Sequence, residues 1–275
     1  MCLKRIAFVY LAFMFLLINW VQSVPISGGE VIPEDDDTFS FAVSIQYREF
    51  NKTSGKHFYK HFCGGVLLHV FNRTAYVLSA SHCMSNIDDK EISVVFGAKD
   101  LKNYNGERYN MVSVHKKDYD RYTMANDICI LKINFRTCDH PRLNPIRVII
   151  DEFAACNDSC YIFGYGSEVV GGDPTNDLRL APVKIISNET CLKELGPFNA
   201  PEPNSGMFCA VGEQPGGDAC LGDSGSGLIC IHNGILAIVG IISYGLDCAV
   251  VGMPGVYTSV AFVSNANFIE SVISK

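Results

Sequence analysis

The 275-residue sequence predicts an all-β protein, two barrels or sandwiches joined near residues 140–148. Three observations carry this: short β-rich runs recur along most of the chain, turn residues rather than helical stretches separate them, and a helical period enters only at the carboxyl end. In order, "FAVSIQY" alternates Phe41, Val43, Ile45 and Tyr47 with smaller or polar residues, as a strand with one buried face does. "GGVLLHV", "AYVLSA", "ISVVFGA" and "ICILKI" follow as further short strands. "LICIHNGILAIVGIIS" reads as a hairpin, two apolar strands around Asn233-Gly234, a pair that accepts the positive φ angles of a tight turn. In "VSNANFIESVISK" the period changes: Phe268, Ile269, Val272 and Ile273 share one helical face, which predicts a terminal helix. No internal repeat or low-complexity tract interrupts this pattern.

The amino-terminal residues indicate the compartment. Lys4 and Arg5 precede an apolar stretch from Ile6 to Trp20, broken only by Asn19, and Val21-Gln22-Ser23 stands at cleavage spacing. Residues 1–23 therefore read as a secretory signal peptide, with a secreted, extracellular product. The rival is an uncleaved anchor, for which Ile6–Trp20 is shorter than the ~20 residues of a spanning helix. Removing Lys4 and Arg5 leaves 20 basic against 29 acidic residues, a net charge of −9 that disfavours nucleic acid as a partner. Of twelve cysteines, Cys2 leaves with the signal; eleven remain where pairing is expected, so one stays single. Cys129, inside the apolar "ICILKI", is the expected buried thiol. Asn51, Asn72, Asn157 and Asn188 begin N-x-S/T sequons and are the candidate glycosylation sites.

The most informative stretch is "GDACLGDSGSGL". Ser224 lies among Gly222, Gly225 and Gly227, with Asp223 immediately before it, so the backbone can turn sharply and a carbonyl can approach its amides. A serine hydroxyl is a poor nucleophile without a base, and a histidine base needs a carboxylate to orient it. His82, in "VLSASHC", is the one histidine of seven in an apolar β-rich setting beside a cysteine; the others, His61 among them, sit among polar or turn residues. Asp127 heads "NDICIL", an acid at the entry to an apolar strand. Alone, each residue reads more simply as a core or edge group; in the order His82, Asp127, Ser224 the three are far more specific.

On these residues the sequence resembles the trypsin-chymotrypsin family of serine endopeptidases over residues 26–275. "ISGG" is similar to the mature start of that family, "SASHC" to its histidine box, "NDICIL" to its aspartate box and "GDSGSGL" to its serine box. "SYG" at 243–245 resembles the substrate-pairing strand and "PGVYT" at 254–258 the pocket wall. The resemblance implies two six-stranded antiparallel β-barrels with the active site between them, the first over about 26–140 and the second over about 141–275, and a C-terminal helix. It implies a secreted, monomeric endopeptidase without cofactor or metal, acting on proteins or peptides and met by protein protease inhibitors. By matching position, Ser224 is the nucleophile, His82 the general base and acid, and Asp127 the orienting carboxylate, with the amides of Gly222 and Ser224 as oxyanion hole. Asp218 falls at the floor of the specificity pocket, which implies cleavage after Arg or Lys, with Gly245 and Gly255 at the walls and Ser243 and Tyr244 on the substrate strand. The family pattern pairs Cys63 with Cys83, Cys160 with Cys230, Cys191 with Cys209 and Cys220 with Cys248. Cys138 and Cys156 remain as a fifth bridge without a firm family counterpart.

The family also folds a new amino terminus inward onto the aspartate before the nucleophile, here Ile26 onto Asp223. No Lys or Arg stands between the signal and Ile26, so a trypsin-type cut cannot expose it; Val24-Pro25 instead forms a pro-dipeptide that a proline-specific dipeptidyl peptidase can remove. Ser27, Ser81, Ser226 and Tyr244 replace residues usual in the family, and Asp247 stands at the pocket entrance, where it either attracts cations or narrows the opening. The loop after Gly97 lacks the acid of a calcium site, and Asp100 and Glu107 read as solvated charges. Two rivals stay open: a catalytically silent homologue acting as a secreted binding or regulatory protein, and a zinc protein using His61, Cys63, His82 and Cys83, whose spacing is poor for a metal.

Overall fold

A computed structural model describes residues 29–85, 91–104, 107–135, 143–148, 158–214, 217–248, 250 and 252–274. Its strands are β1 (Glu30–Val31), β2 (Ala42–Asn51), β3 (Lys56–Phe71), β4 (Thr74–Ser79), β5 (Ile92–Phe96), β6 (Tyr109–Lys116) and β7 (Cys129–Asn134), then β8 (Arg147–Val148) and β9 (Ser159–Gly164). The rest are β10 (Arg179–Ile186), β11 (Met207–Gly212), β12 (Gly227–His232), β13 (Ile235–Tyr244) and β14 (Gly255–Ser259). Two closed six-stranded antiparallel barrels result. The first runs β2-β3-β4-β7-β6-β5; the second runs β10-β11-β14-β13-β12-β9, with β9 pairing back onto β10. Short β1 extends the second sheet at β10, and β8 lies parallel to β13.

Alternation and apolar runs explain the walls. Val43 and Ile45 of β2 and Val77 of β4 are fully buried, and β5 is buried along its whole length because both of its faces are covered. The hairpin β12–β13 turns at Asn233 and Gly234, with φ of 51° and 76°, the left-handed pair that a two-residue turn requires. The barrels meet through an aromatic contact, in which the Phe163 ring packs edge-on against Phe41 at 5.5 Å and Phe39 at 6.3 Å. The Gly64 amide donates to the Ser224 carbonyl across the same seam at 2.8 Å.

Among the described residues four disulfides link Cys63–Cys83, Cys160–Cys230, Cys191–Cys209 and Cys220–Cys248. Cys129 is a buried free thiol that donates to the Ala80 carbonyl at 3.3 Å, and burial pushes its pKa well up. Cys138 and Cys156 lie outside the described residues, as do residues 1–28 and Asn157. Among the described residues no helix is long and apolar enough to cross a membrane. Asn51, Asn72 and Asn188 are all exposed.

Two α-helices lie among the described residues. The terminal α2 (Val263–Ile273) buries Ile269 and Val272, the face its period predicts. The other, α1 (Asn188–Leu195), corrects the reading of the intervening segments as turns. Ser187 caps it by accepting from the Thr190 amide, and Cys191 and Leu195 are buried, one turn apart. Two inward residues are too few to register as a helical stripe.

Candidate active site

His82 opens a short 3-10 turn, His82–Met84, just past β4, and Asp127 stands two residues before β7, so the first barrel brings both to its rim. Asp127 is completely buried. Its Oδ2 accepts from His82 Nδ1 at 2.7 Å and its Oδ1 from the His82 amide at 2.8 Å, which fixes both the ring and its backbone. Ser243 Oγ donates to the same Oδ2 at 2.6 Å, and Thr258 Oγ1 donates to the Asp127 carbonyl at 3.1 Å. With Nδ1 engaged as a donor, Nε2 is the imidazole nitrogen left to accept a proton. Ser224 lies in the turn that leads from β11 into β12 and lines one cavity together with His82. Its hydroxyl makes no hydrogen bond among the described residues, a common state of such pairs before substrate binds.

Gly222 has φ of +98°, a conformation that favours glycine. Neither its amide nor that of Ser224 donates to any described residue, so both remain available to an incoming oxygen. The Gly222 carbonyl, by contrast, is held. His61 Nε2 donates to it at 2.9 Å, while Ser44 Oγ lies 2.9 Å from His61 Nδ1. A carbonyl can only accept, so the proton sits on Nε2 and Ser44 donates to Nδ1. Burial lowers the His61 pKa to about 4, with the Gly222 bond a smaller opposing influence, and the ring is neutral. Placing His61 among polar or turn residues was therefore wrong: it is buried in β3, two positions from Cys63. The signal available was the apolar run "FCGGV" immediately after it.

The cavity shared by His82 and Ser224 has a volume of about 440 Å³. Asp218, Ser243, Tyr244, Gly245, Asp247 and Gly255 all line it, so the structure brings the predicted substrate-binding residues together. Asp218 is buried, and its Oδ1 accepts from the Ala219 amide at 2.7 Å; desolvation raises its pKa to about 6, partly opposed by that bond. Beside it, the buried Tyr257 hydroxyl has no hydrogen-bond partner among the described residues. A Cβ on Gly255 would lie 3.2 Å from this hydroxyl and 3.4 Å from Asp218 Oδ1, so any side chain there occupies the pocket. The hydroxyl of Ser243, expected on the substrate strand, is spent on Asp127. Tyr244 Oη donates to the Asn199 carbonyl at 3.0 Å, and Asp247 accepts from the Cys248 amide at 2.8 Å.

Asp223 is fully buried and takes two backbone bonds, from Gly166 at 2.8 Å and from Cys220 at 2.9 Å. Desolvation outweighs these bonds and raises its pKa to about 7, with the Asp218 charge adding to the rise. Ile26, its expected partner, lies outside the described residues. Ser226, where the family has glycine, fits because its hydroxyl occupies space that a side chain at position 64 would fill. Cys63, His82 and Cys83 bring one nitrogen and two sulfurs within 4.8 Å of one another, but the sulfurs are bonded to each other and cannot serve as thiolate ligands. Asp100 spends its carboxylate on the Lys102 and Asn103 amides of its own loop.

The comparisons agree with this geometry. The family profile described as Trypsin matches residues 26–269. Human Kallikrein-4 is 34% identical over 203 residues, covering 72% of this chain and 73% of that protein. A profile spanning most of the chain, a relative at this identity and two barrels meeting at a His-Asp pair and a serine converge on one assignment: the chain belongs to the trypsin family of serine proteases.

Proposed function

We propose that this protein is a secreted serine endopeptidase that hydrolyses peptide bonds after Arg or Lys through an acyl-enzyme intermediate. The observation that carries the proposal is the buried carboxylate of Asp218 in the cavity that also holds His82 and Ser224. A buried acid beside a Tyr257 hydroxyl that has no partner among the described residues, in a cavity also lined by Met124, Val170, Ile242 and Leu246, is complementary to a long side chain with a cationic polar head. Asp247 at the rim adds attraction for the same charge without closing the cavity.

In the acylation step Ser224 Oγ forms a bond to the scissile carbonyl carbon while its proton passes to His82 Nε2. Asp127 holds the ring and stabilises the imidazolium. The amides of Gly222 and Ser224 receive the oxyanion, each such donor contributing ~2.7 to 4 kcal/mol. His82 then protonates the departing amine as the C–N bond breaks, and water, deprotonated by the same ring, releases the acid. Activation follows from Asp223. A fully buried carboxylate whose described contacts are two amides gains strongly from a cation, and the ammonium of Ile26, exposed after loss of residues 1–23 and of Val24-Pro25, is the group the sequence supplies. Protein or peptide substrates, protein inhibitors, glycans on the exposed Asn51, Asn72 and Asn188, and a monomeric state complete the reading.

The silent-homologue reading is favoured by one feature, the absence of a Lys or Arg between Ser23 and Ile26. Profiling of the mature protein on a peptide library decides between them: cleavage after Arg or Lys is expected, cleavage after Phe, Tyr or Leu overturns the pocket assignment, and no cleavage at all favours the silent homologue.

A further inference from the structure

A second cavity of about 310 Å³ opens on the other side of the Gly222 turn. Arg108, Lys60, Tyr59, His61, Pro174 and Asn176 are among its walls. Gly222 is the partition between the two cavities. Leu221 and Cys220 face the first cavity, whereas a Cβ built on Gly222 would meet Pro174 of the second at 3.2 Å, and the Gly222 carbonyl is bonded to His61 of the second. The Cys63–Cys83 disulfide adjoins the nucleophile, with Cys83 Sγ 3.7 Å from the Ser224 carbonyl, and His61 stands two positions from Cys63 on β3, against the Gly222 carbonyl. A peptide that fills the Asp218 cavity and continues past Gly222 in extended conformation, about 3.3 Å per residue, would bring its second residue beyond the cut to this wall.

The cations of this cavity are unequal. Lys60 is already paired with Asp173 at 3.0 Å. Arg108 is held but not neutralised: its Nε donates to Gln46 Oε1 at 3.1 Å, and its guanidinium lies 4.9 Å from the Tyr59 ring centre and 5.6 Å from that of Tyr104. Among the described residues no carboxylate reaches it, and its two Nη groups have no partner. A guanidinium with one edge fixed and the other unoccupied is preorganised for a bidentate carboxylate. Its anchor is itself held, since Gln46 Nε2 donates to Ser44 Oγ at 3.1 Å.

We propose that this cavity is a binding site for an acidic side chain, Glu or Asp, on the second residue beyond the scissile bond, with Arg108 as the specificity-determining residue. The proposal rests on the endopeptidase reading above. It makes the enzyme selective on both sides of the cut, for a base before it and an acid after it.

The test compares three internally quenched peptides that differ only by Glu, Gln or Lys at the second position beyond the cleaved Arg. The wild-type protein should favour Glu by about fivefold in kcat/KM, as expected of one partly exposed ion pair. Arg108→Gln should bring the ratio to about one, and Arg108→Glu should invert it in favour of a Lys peptide; both variants should cleave a short Arg coumarin amide, which has no residues beyond the cut, as the wild type does. Binding of the same peptides to the Ser224→Ala protein, read by fluorescence anisotropy, should show the same Glu preference and the same loss in Arg108→Gln. Equal handling of Glu and Gln by the wild type, or a preference that survives Arg108→Gln, overturns the proposal. Failure of the Arg amide alone indicts the acyl-side reading instead, and the pair is then built on whatever residue the library selects.

Discussion

At the scale of single residues, the proposed role of Asp218 joins specificity to a cost in stability. Its carboxyl is held up at about 6 by burial, so its ionised form is least comfortable when no cation is present. Replacing it with Ser should lower kcat/KM for Arg substrates by roughly 10² to 10⁴, the range for leaving a buried charge without its partner, and leave reaction with a small uncharged acylating reagent intact. In the wild type, kcat/KM for Arg substrates should fall as pH drops through about 6, more steeply than acylation by the uncharged reagent. The stability sign is opposite. A folded pKa above the unfolded value of 3.8 gives a contribution that is complete below 3.8 and lost as pH rises through about 6. Asp218→Asn should therefore raise the unfolding temperature at pH 8, by on the order of 1 to 3 kcal/mol in stability. An unchanged or lower unfolding temperature would contradict this account of the pocket. Ser243→Ala removes a 2.6 Å bond to a charged oxygen and should reduce kcat by about 10- to 100-fold with little change in KM, which steady-state kinetics would show.

At the scale of elements, the oxyanion turn is braced by strands of the other barrel. Ser44 on β2 and His61 on β3 hold the Gly222 carbonyl, and the Gly64 amide on β3 holds that of Ser224. His61→Phe fills a similar volume but leaves Ser44 and Gly222 without partners, so it should cost about 1 to 3 kcal/mol in denaturant unfolding. Because the folded His61 titrates near 4, below its ordinary 6.5, the wild type should lose stability as pH falls from 6.5 through about 4, and His61→Phe should lose that part of the dependence. Much of this layer was legible in the chain. The period-2 runs, the Asn233-Gly234 turn and the terminal helical face all carried their own signals. His61 did not, because its role depends on a turn 161 residues away. The helix α1 was hidden for a different reason, as a disulfide at Cys191 and a cap at Ser187 hold eight residues with almost no apolar face. Ser187→Ala should accordingly lower stability by about 0.5 to 2 kcal/mol in thermal unfolding.

At the scale of the whole molecule, each barrel supplies half of the chemistry. His82 and Asp127 come from the rim of the first, Ser224, Asp218 and Ser243 from the second, and the cavity lies where they meet. Motifs made His82, Asp127, Ser224 and Asp218, the residues proposed for catalysis and the pocket floor, readable in the sequence, since glycines flanking a serine and an acid entering a strand are local patterns. The second cavity was not readable, because Arg108, Lys60 and Pro174 come from three separate segments. The same cross-barrel dependence makes the chain end decisive. An ammonium at Ile26 paired with Asp223 would acquire a pKa above its free value of ~7.7 to 8.0, so the order it lends the pocket is full below that range and lost as pH rises through the raised value. Sequencing of active molecules should find Ile26 at the amino terminus, and full activity in molecules that begin at Val24 would contradict the activation proposal. The central claim, a reactive Ser224 served by a pocket for basic side chains, is tested most directly by a pair of aryl phosphonates carrying an Arg-like or a Phe side chain. The account predicts that the mature protein is labelled on Ser224, quickly by the Arg-like probe and slowly by the Phe probe. No label on Ser224, or faster labelling by the Phe probe, would contradict it.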